Sequence, residues 1–532
     1  MPHEKIIEAS SKHPKPADRK FTYGTAGFRM KADLLDPVMF RVGLVAALRS
    51  QKLNSATIGV MITASHNVPA DNGVKLVDPM GEMLEPAWEV YSTTLSNAAT
   101  DEELAAEYQK LADQLKIDTT RSAKVVIGRD TRESGPALLK ALTDALDAVG
   151  AEYEDHGIVT TPQLHYIVRC INTHGLYGNP HENGYYEKLG DAYKQLMKAH
   201  GVKQPTKFTV DCANGVGAPA LHKLAEYIGS DIFQVEIVND QINEPSKLNF
   251  QCGADFVKTQ QRLPPASKVE NMVRCASLDG DADRLIYYYN DDKGNFRLLD
   301  GDKIATLAAS FIGGLAKDAN IDLNIGVVQT AYANGSSTDY IKKILGLPVI
   351  CTPTGVKHLH HAALAFDVGV YFEANGHGTV LFSNNAIEKI QELEPESPGQ
   401  AESLKKLRIF IDLINQTVGD ALSDLLMVEV ILAHKHWGPK EWDNNYTDLP
   451  NRLVRVEVTD RTVFKTTDAE RRLIEPATVQ KKIDELVLKY SKGRAFARAS
   501  GTEDAVRVYA EAATRGEAEE LARLVAEIVA QY

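Results

Sequence analysis

The stretch Lys124–Gly135, KVVIGRDTRESG, decides the fold class of this 532-residue chain. Its apolar, β-rich run ends in a polar turn, and a helical pattern over Pro136–Val149 follows with leucines on one stripe. The same order recurs in Lys207–Gly217 (KFTVDCANGVG) and Asn324–Ser337 (NIGVVQTAYANGSS). Strand, tight turn and helix, repeated at domain-sized spacings, are typical of successive α/β layers. The sequence therefore predicts three tandem α/β domains.

The remainder of the chain predicts a smaller C-terminal domain. The stretch His434–Asn451 is rich in Gly, Pro, Asn and Asp, as linkers are, and Gln391–Gln400 is expected to be a surface loop. Two helical and several strand-like patterns follow the linker. The expected fold class is α/β, with three tandem α/β domains with mixed sheets plus a smaller C-terminal α+β domain, around a central active-site cleft. The expected domains are 1–168, 169–299, 300–433 and 445–532.

Composition restricts the classes of function. The chain is 44% hydrophobic and 25% charged, which is typical of globular proteins, and it contains no apolar run of about 18 residues. A net charge of −13 disfavours binding to nucleic acid or to an anionic membrane. The five cysteines include no C-x-x-C pair, and residues 1–20 lack the apolar segment of a secretion signal. These features indicate a cytoplasmic protein without a nucleic-acid or membrane partner. A small-molecule ligand and a monomeric or homodimeric state are also expected, but composition does not determine either.

The first motif that could carry chemistry is Thr63–Lys75, TASHNVPADNGVK, which follows the apolar run Ala56–Ile62. A strand that delivers a serine, here Ser65, to an exposed loop is a common way to present a nucleophile or a phosphate acceptor. Taken alone, the stretch is more typical of a plain Ser/Asn/Asp/Gly loop. Its interpretation therefore depends on the other motifs.

The second motif is Leu278–Arg284, LDGDADR, with carboxylates at Asp279, Asp281 and Asp283. In an extended loop alternate residues point the same way, so the three carboxylates could bind one hard cation. An EF-hand is excluded because Arg284 stands where that loop requires glycine. Magnesium is the expected ion, and a solvated acidic turn is the alternative.

The third motif is Glu373–Thr379, EANGHGT, which follows the apolar run Val368–Phe372. A carboxylate, an amide and an imidazole within five residues at a strand end can bind vicinal hydroxyls. A glycine-rich turn with incidental polar residues is the alternative reading.

The fourth motif is Arg498–Arg507, RASGTEDAVR, between two predicted strands. Backbone N–H groups and hydroxyls of a Ser-Gly-Thr turn, with an arginine on each side, form a design suited to phosphate. An ordinary hairpin turn is the alternative.

Taken together and in this order, the four motifs resemble the α-D-phosphohexomutase superfamily. The stretches Tyr23–Arg29 (YGTAGFR), Asp71–Leu84 (DNGVKLVDPMGEML) and Thr352–His361 (TPTGVKHLHH) resemble its branch that acts on N-acetylglucosamine phosphates. The resemblance covers essentially the whole chain. It implies an enzyme that interconverts N-acetylglucosamine 6-phosphate and 1-phosphate through a phosphoserine and a sugar 1,6-bisphosphate, in UDP-N-acetylglucosamine biosynthesis.

The resemblance also implies roles for individual residues. Ser65 would be the phosphoserine, and its phosphate would hold one Mg²⁺ per chain together with Asp279, Asp281 and Asp283. The remaining implied residues are Arg284 for charge stabilisation, Lys75 and His377 as candidate bases, Glu373, Asn375 and Gly376 for the sugar, and Arg498, Ser500, Gly501, Thr502 and Arg507 for the phosphate that is not transferred. Asn375 stands where glucose and mannose mutases usually carry serine, and its amide could bond an N-acetyl group.

One residue departs from the pattern, because relatives commonly read ASHNP where this chain has Val68 before Pro69. Three other functions compete with the implied one: a phosphoglucomutase or phosphomannomutase, a catalytically silent sugar-phosphate sensor, and a phosphatase in which water intercepts the phosphoserine. Since a bisphosphate must present either end to Ser65, the C-terminal domain is expected to hinge after the linker at His434–Asn451.

Overall fold

The computed structural model describes residues 2–25, 27–199, 202, 206–500 and 504–532. Its helices, in chain order, are α1 (Pro2–Ser10), α2 (Asp36–Lys52), α3 (Pro86–Ser96), α4 (Asp101–Gln114), α5 (Gly135–Val149), α6 (Thr161–Asn172), α7 (Glu182–Met197), α8 (Gly217–Ile228), α9 (Gly253–Gln260), α10 (Gly301–Asp318), α11 (Gly335–Asp339), α12 (Val356–Ala363), α13 (Asn384–Glu392), α14 (Pro398–Leu413), α15 (Ala421–Lys435), α16 (Pro439–Asp443), α17 (Ala477–Val487) and α18 (Arg515–Val529).

The strands, in chain order, are β1 (Phe28–Lys31), β2 (Thr57–Ile62), β3 (Asp71–Val77), β4 (Lys124–Arg129), β5 (Glu152–Ile158), β6 (Phe208–Asp211), β7 (Val235–Val238), β8 (Cys275–Leu278), β9 (Leu285–Asn290), β10 (Phe296–Leu299), β11 (Ile325–Thr330), β12 (Val349–Thr352), β13 (Val368–Phe372), β14 (Gly378–Phe382), β15 (Asn451–Glu457), β16 (Lys465–Thr467), β17 (Arg472–Glu475), β18 (Arg494–Ala499) and β19 (Ala505–Glu511).

The chain divides into two units, and the first comprises Met1–Leu298 with Ile409–His436. It contains a sheet of order β1-β3-β2-β4-β5, in which β2, β4 and β5 are parallel and β3 is antiparallel to both β1 and β2. A second sheet has the order β10-β9-β8-β6-β7, with β7, β6 and β8 parallel. In a parallel sheet the carboxyl ends of neighbouring strands lie at one edge. The loops that follow β2 and β4 therefore meet.

Close packing of helices fills the core of this first unit. Helix α2 is buried over most of its length and packs against α5. The contact depends on Gly43, because a Cβ there would lie 2.9 Å from the carbonyl oxygen of Leu142. On α5, the predicted stripe residues Leu138, Leu142 and Leu146 are buried in the same core.

The second unit comprises Leu299–Arg408 with Trp437–Tyr532. Its larger sheet has the order β12-β11-β13-β14, with β14 antiparallel to β13 and the other three strands parallel. Its smaller sheet, of order β15-β19-β18, is antiparallel, and residues of α17 and α18 belong to the apolar core on one of its faces. On the other face, Phe496 and Tyr509 pack against Ala331 and Tyr332. A separate hairpin joins β16 and β17.

These sheets confirm the predicted fold class of mixed α/β sheets followed by a smaller α+β part. Two local predictions are wrong in part. The segment expected as a linker contains α16 and the fully buried Trp442. The Trp442 indole N–H donates to the Lys303 carbonyl, and the Lys303 ammonium donates to the carbonyl oxygens of Asp443 and Tyr446, so this part of the segment packs against α10. The expected loop at Gln391–Gln400 is confined to residues 393–397, since α13 ends at Glu392 and α14 begins at Pro398. The domain boundaries stay predictions. None of the helices described here combines the length and the apolarity that a membrane crossing requires.

Candidate active site

Ser65 lies in a tight loop directly after β2. Its backbone is left-handed, with φ at 51°, a conformation that is strained for a residue other than glycine. The Ser65 N–H donates to Thr63 Oγ1 at 3.0 Å, and Thr63 Oγ1 in turn donates to Asp130 Oδ2 at 2.7 Å. The Ser65 hydroxyl donates to Asp279 Oδ2 at 2.6 Å. Strand β2 thus delivers the serine, and Asp279 orients the serine oxygen. Asp279 lies in the stretch Leu278–Arg284, which we call the acidic loop.

Arg132 binds backbone carbonyl groups of residues 63–71, the loop that carries Ser65 and is called the serine loop below. Its side chain is fully buried beside Asp130, and its guanidinium donates to four backbone oxygens of the loop. Those oxygens belong to Ser65 (2.9 Å), Asn67 (2.9 Å), Val68 (2.6 Å) and Asp71 (2.8 Å). Asn249 supports the same loop, since its Nδ2 donates to the Ser65 and Asn67 carbonyls. The side chain of Val68 is 55% exposed, so its carbonyl and not its side chain takes part in fixing the loop.

We expect Arg132→Lys to lower kcat/KM about 100-fold, because an ammonium cannot reproduce the planar fork and each lost charged hydrogen bond costs about 1.5–3 kcal/mol. Steady-state kinetics and thermal unfolding of the purified variant measure the effect. Arg129→Lys is the matched control, since Arg129 is the last residue of β4, directly before the turn that carries Arg132, but pairs with Asp155. Equal losses in the two variants would contradict a specific role for Arg132.

The acidic loop is a turn and not the extended segment that the sequence predicted. Ala282 has a left-handed φ of 60°, and its N–H donates to the Asp279 carbonyl at 3.1 Å. The turn nevertheless brings one carboxylate oxygen each of Asp279, Asp281 and Asp283 within 4.8 Å of one another. Gly280 packs against the serine loop, where a Cβ would lie 2.4 Å from the Ser65 carbonyl oxygen. The two loops are therefore in direct backbone contact.

The donor atoms of this loop fit a magnesium ion. Oδ2 of Asp281 accepts from Thr161 Oγ1 at 2.6 Å, whereas its Oδ1 is buried with no hydrogen-bond partner among the described residues. Burial raises the pKa of Asp279 well above its usual range, and the neighbouring charges of Asp283 and Asp281 raise it further. Buried, mutually repelling carboxylates gain most from a hard divalent cation, and carboxylate oxygen is a ligand that Mg²⁺ prefers.

Cationic side chains surround the acidic loop. Lys75 Nζ lies 3.5 Å from Asp281 Oδ2 and 3.4 Å from Asp283 Oδ2, and Arg284 Nε lies 3.8 Å from Asp279 Oδ2. The charge of Arg284, together with burial and the charge of Arg29, lowers the pKa of His66 to about 2. The imidazole next to Ser65 is therefore neutral at physiological pH.

Sequence reasoning assigned no role to several residues of this centre, which are Arg29, His66, Asp130, Arg132 and Asn249. The strands predicted from the sequence could have indicated two of these residues. Asp130 and Arg132 follow β4, whose parallel neighbour β2 carries the serine loop at the same edge of the sheet.

In the second unit, the turn between β13 and β14 holds the third motif. The Glu373 N–H donates to the His377 carbonyl at 2.9 Å, and Gly376 occupies a position with φ at 90°. Asn375 Oδ1 accepts from the His377 N–H at 3.0 Å, and its Nδ2 lies 3.4 Å from Glu373 Oε2. Gly301 packs against this turn, where a Cβ would lie 1.9 Å from the Glu373 carbonyl oxygen. A carboxylate and an amide thus stand side by side on a rigid turn.

The fourth motif lies between β18 and β19. Arg498 and Arg507 are directly opposite each other in the register, and the Ser500 N–H donates to the Ala505 carbonyl at 2.8 Å. Arg498 Nε donates to the Tyr332 hydroxyl at 2.8 Å. Like charges at opposite positions destabilise a sheet unless an anion lies between them, which suits phosphate. Gly501 and Thr502, which were predicted to bind phosphate, lie outside the described residues.

The predicted site residues thus form groups within each unit. Ser65, Lys75, Asp279, Asp281, Asp283 and Arg284 come together in the first unit. In the second, Glu373, Asn375, Gly376 and His377 share one turn, and Arg498, Ser500 and Arg507 flank another. Their individual roles stay predictions.

Profiles of four domain families match the chain. Residues 179–286 match "Phosphoacetylglucosamine mutase AMG1, domain II" and residues 300–437 match domain III of the same protein. Residues 44–97 and 91–188 match the α/β/α domain I of phosphoglucomutase/phosphomannomutase, and residues 453–528 match its C-terminal domain.

Individual proteins are similar over the full length. Phosphoacetylglucosamine mutase of Candida albicans is 53% identical over 97% of this chain and 97% of its own. The crystal structure of Aspergillus fumigatus N-acetylphosphoglucosamine mutase in complex with GlcNAc-6P and magnesium is 59% identical, with a TM-score of 0.96 over 100% of this chain and 99% of that one. A serine-to-alanine variant of that mutase in complex with glucose 1,6-bisphosphate gives the same identity and TM-score over 100% and 98%. The chain belongs to the phosphoacetylglucosamine mutase family, within the α-D-phosphohexomutase superfamily.

Proposed function

We propose that this chain interconverts N-acetylglucosamine 6-phosphate and N-acetylglucosamine 1-phosphate, with Ser65 as the phosphoryl carrier and Mg²⁺ as cofactor, in UDP-N-acetylglucosamine biosynthesis. The observation that carries the proposal is the hydrogen bond of 2.6 Å between Ser65 Oγ and Asp279, within a loop whose carboxylates suit Mg²⁺. The full-length relatives support the substrate, because they are phosphoacetylglucosamine mutases.

In the first half of the reaction, phospho-Ser65 donates its phosphoryl group to the free C1 hydroxyl of N-acetylglucosamine 6-phosphate. The bond between Ser65 Oγ and phosphorus breaks, the C1 oxygen bonds phosphorus, and the hydroxyl proton passes to a base. Asp279, Asp281 and Asp283 would hold Mg²⁺, which supplies positive charge to the transferring group when bound. Arg284 adds charge at the same place, and the clamp of Arg132 on the serine loop fixes Oγ.

In the second half, the sugar 1,6-bisphosphate presents its other end, and the C6 phosphoryl group returns to Ser65 Oγ. The C6 oxygen takes back a proton, so the enzyme ends as it began. Glu373 and Asn375 would bind the sugar hydroxyls and the acetamide, and Arg498, Ser500 and Arg507 would bind the phosphate that is not transferred.

Two residues are candidates for the base. Lys75 lies beside two carboxylates of the acidic loop, and His377 lies in the turn between β13 and β14 that carries Glu373 and Asn375. The pH dependence of kcat in Lys75→Met and His377→Gln separates them, because only loss of the base removes the corresponding limb of the profile.

The test of the proposed function is ³¹P NMR of the wild-type enzyme with Mg²⁺ and a catalytic amount of glucose 1,6-bisphosphate. We expect conversion of N-acetylglucosamine 6-phosphate to be faster than that of glucose 6-phosphate. Faster conversion of the glucose ester would indicate a phosphoglucomutase. Release of inorganic phosphate alone would indicate a phosphatase, and binding without turnover would indicate a sensor. A cytoplasmic location and a monomeric or homodimeric state stay predictions.

Asn375→Ser tests the sugar specificity. We expect kcat/KM for N-acetylglucosamine 6-phosphate to fall about tenfold, with a smaller change for glucose 6-phosphate, because the amide that would bond the acetamide is lost. Asn385→Ser is the control, since this exposed amide binds Asp367 on the protein surface. Equal losses on both sugars would contradict a role of Asn375 in recognising the acetyl group.

A further inference from the structure

We infer that Glu470 is a positioning residue that couples the phosphate-binding arginine Arg498 to the sugar-binding turn. The inference rests on the proposed function and adds a residue that lies in none of the four motifs. Glu470 lies in the loop between β16 and β17. This loop is separate in sequence from the turn between β13 and β14 and from the end of β18, where Arg498 lies.

The loop that carries Glu470 has a strained backbone. Asp468, Ala469 and Glu470 have consecutive positive φ angles of 52°, 52° and 67°. A left-handed conformation is unfavourable for each residue that has a Cβ, and three in a row persist only where surrounding contacts compensate. Strain of this kind is concentrated at functional sites, so the contacts of the loop are informative.

The contacts join Glu470 to the segment before α12. Glu470 Oε2 accepts hydrogen bonds from the Thr354 N–H at 2.9 Å and from the Thr354 hydroxyl. The next residue, Gly355, donates its N–H to Glu373 Oε1 at 3.2 Å. Two successive residues of one segment therefore hold Glu470 on one side and the sugar-binding carboxylate on the other.

The second oxygen of Glu470 faces the phosphate-binding arginine. Glu470 Oε1 lies 3.6 Å from Arg498 Nη1, and both side chains are 20% exposed. Arg498 Nε is held by the Tyr332 hydroxyl, so Glu470 anchors the guanidinium at a second corner. A guanidinium held at two corners presents its remaining N–H groups to phosphate in one orientation, which lowers the cost of ordering it on binding.

These links form one path, Arg498–Glu470–Thr354–Gly355–Glu373, which fixes the phosphate-binding group relative to the sugar-binding carboxylate. Removing Glu470 leaves the Thr354 N–H without its acceptor and leaves Arg498 with Tyr332 as its anchor. We therefore expect substrate binding to weaken more than the chemical step. In kinetic terms KM rises while kcat changes little.

The experiment compares Glu470→Ala with its parent in two backgrounds. In the wild-type background, KM and kcat for N-acetylglucosamine 6-phosphate are measured. In the Ser65→Ala background, calorimetry measures the Kd of the same ligand without turnover. We expect Glu470→Ala to raise both KM and Kd about tenfold, with kcat within about twofold of the parent. Glu470→Gln keeps an acceptor for Thr354 but loses the charge, so its KM and Kd are expected to lie between those of the parent and those of Glu470→Ala.

Two further variants make the test specific. Glu475→Ala removes an exposed carboxylate of the same hairpin that pairs with Lys465, and it is expected to leave Kd unchanged. Thr354→Val, combined with Glu470→Ala, is expected to give less than the product of the two single effects, because both remove the hydrogen bond between the Thr354 hydroxyl and Glu470.

The inference is overturned if Glu470→Ala leaves Kd within about twofold of the parent, if Glu475→Ala has an equal effect, or if the Thr354 and Glu470 effects multiply independently. Failure of the wild-type enzyme to convert N-acetylglucosamine 6-phosphate would instead reject the proposed function. The two failures are therefore distinguishable.

Discussion

Ser65→Ala is expected to lower kcat for the interconversion of N-acetylglucosamine phosphates on the order of 10⁵-fold, because the reaction loses the oxygen that carries the phosphoryl group. The neighbouring Thr63 hydroxyl is not expected to replace it, since it donates to Asp130. Ligand binding should survive, because the proposed sugar and phosphate contacts lie on other loops. A coupled assay measures kcat, and phosphopeptide mapping of the wild type locates the modified serine.

Ser92→Ala provides the matched control for this experiment. Ser92 is also buried, but its hydroxyl donates to the Trp88 carbonyl within α3. Its substitution should leave kcat unchanged. An active Ser65→Ala enzyme, or phosphate mapped to another serine, would reject Ser65 as the carrier.

Asp281→Asn is expected to lower kcat about 10³-fold and to shift activation to much higher Mg²⁺ concentrations. The physical reason is that a neutral amide removes one of the three negative charges that would hold the cation. A magnesium titration of activity gives the shift. Electron paramagnetic resonance with Mn²⁺ measures ion binding independently of turnover.

Two controls accompany Asp281→Asn. Thr161→Val removes the hydrogen bond to Asp281 Oδ2 while leaving its charge, so we expect a smaller loss. Asp291→Asn changes a partly exposed carboxylate in the loop between β9 and β10 and should have no effect. Unchanged Mn²⁺ affinity in Asp281→Asn would contradict a metal site in the acidic loop.

Much of the fold could be predicted from the sequence because its signals are local. The apolar run, turn and leucine stripe of Lys124–Val149 lie next to one another and fold into β4 and α5. The linker at His434–Asn451 was mispredicted for the opposite reason. The prediction used only the polar and turn-forming residues of the segment. The buried Trp442, however, donates its indole N–H to the carbonyl of Lys303, which lies far away in sequence.

In the candidate site, too, features set by neighbouring residues could be predicted, and features that depend on the folded loops or on distant residues could not. Short motifs predicted which side chains of each loop could carry chemistry, but they could not predict the shape of the acidic loop. The convergence of its carboxylates depends on the left-handed Ala282, which nothing in the residue pattern indicates. Arg132 and Glu470 escaped prediction because each acts on a loop that is distant in sequence. Partners of this kind are visible only once the strands are placed.

The contacts of Arg132 with the serine loop also bear on which sequence signature identifies members of this family. Arg132 binds carbonyl oxygens, which every residue type supplies, so this clamp places no requirement on the exposed side chain at position 68. A search signature that requires proline after Ala-Ser-His-Asn would pass over this chain. A signature that pairs the serine with the distant Asp-Thr-Arg of residues 130–132 follows the physical constraint, and it would retrieve sequences in which the loop has drifted but its clamp has not.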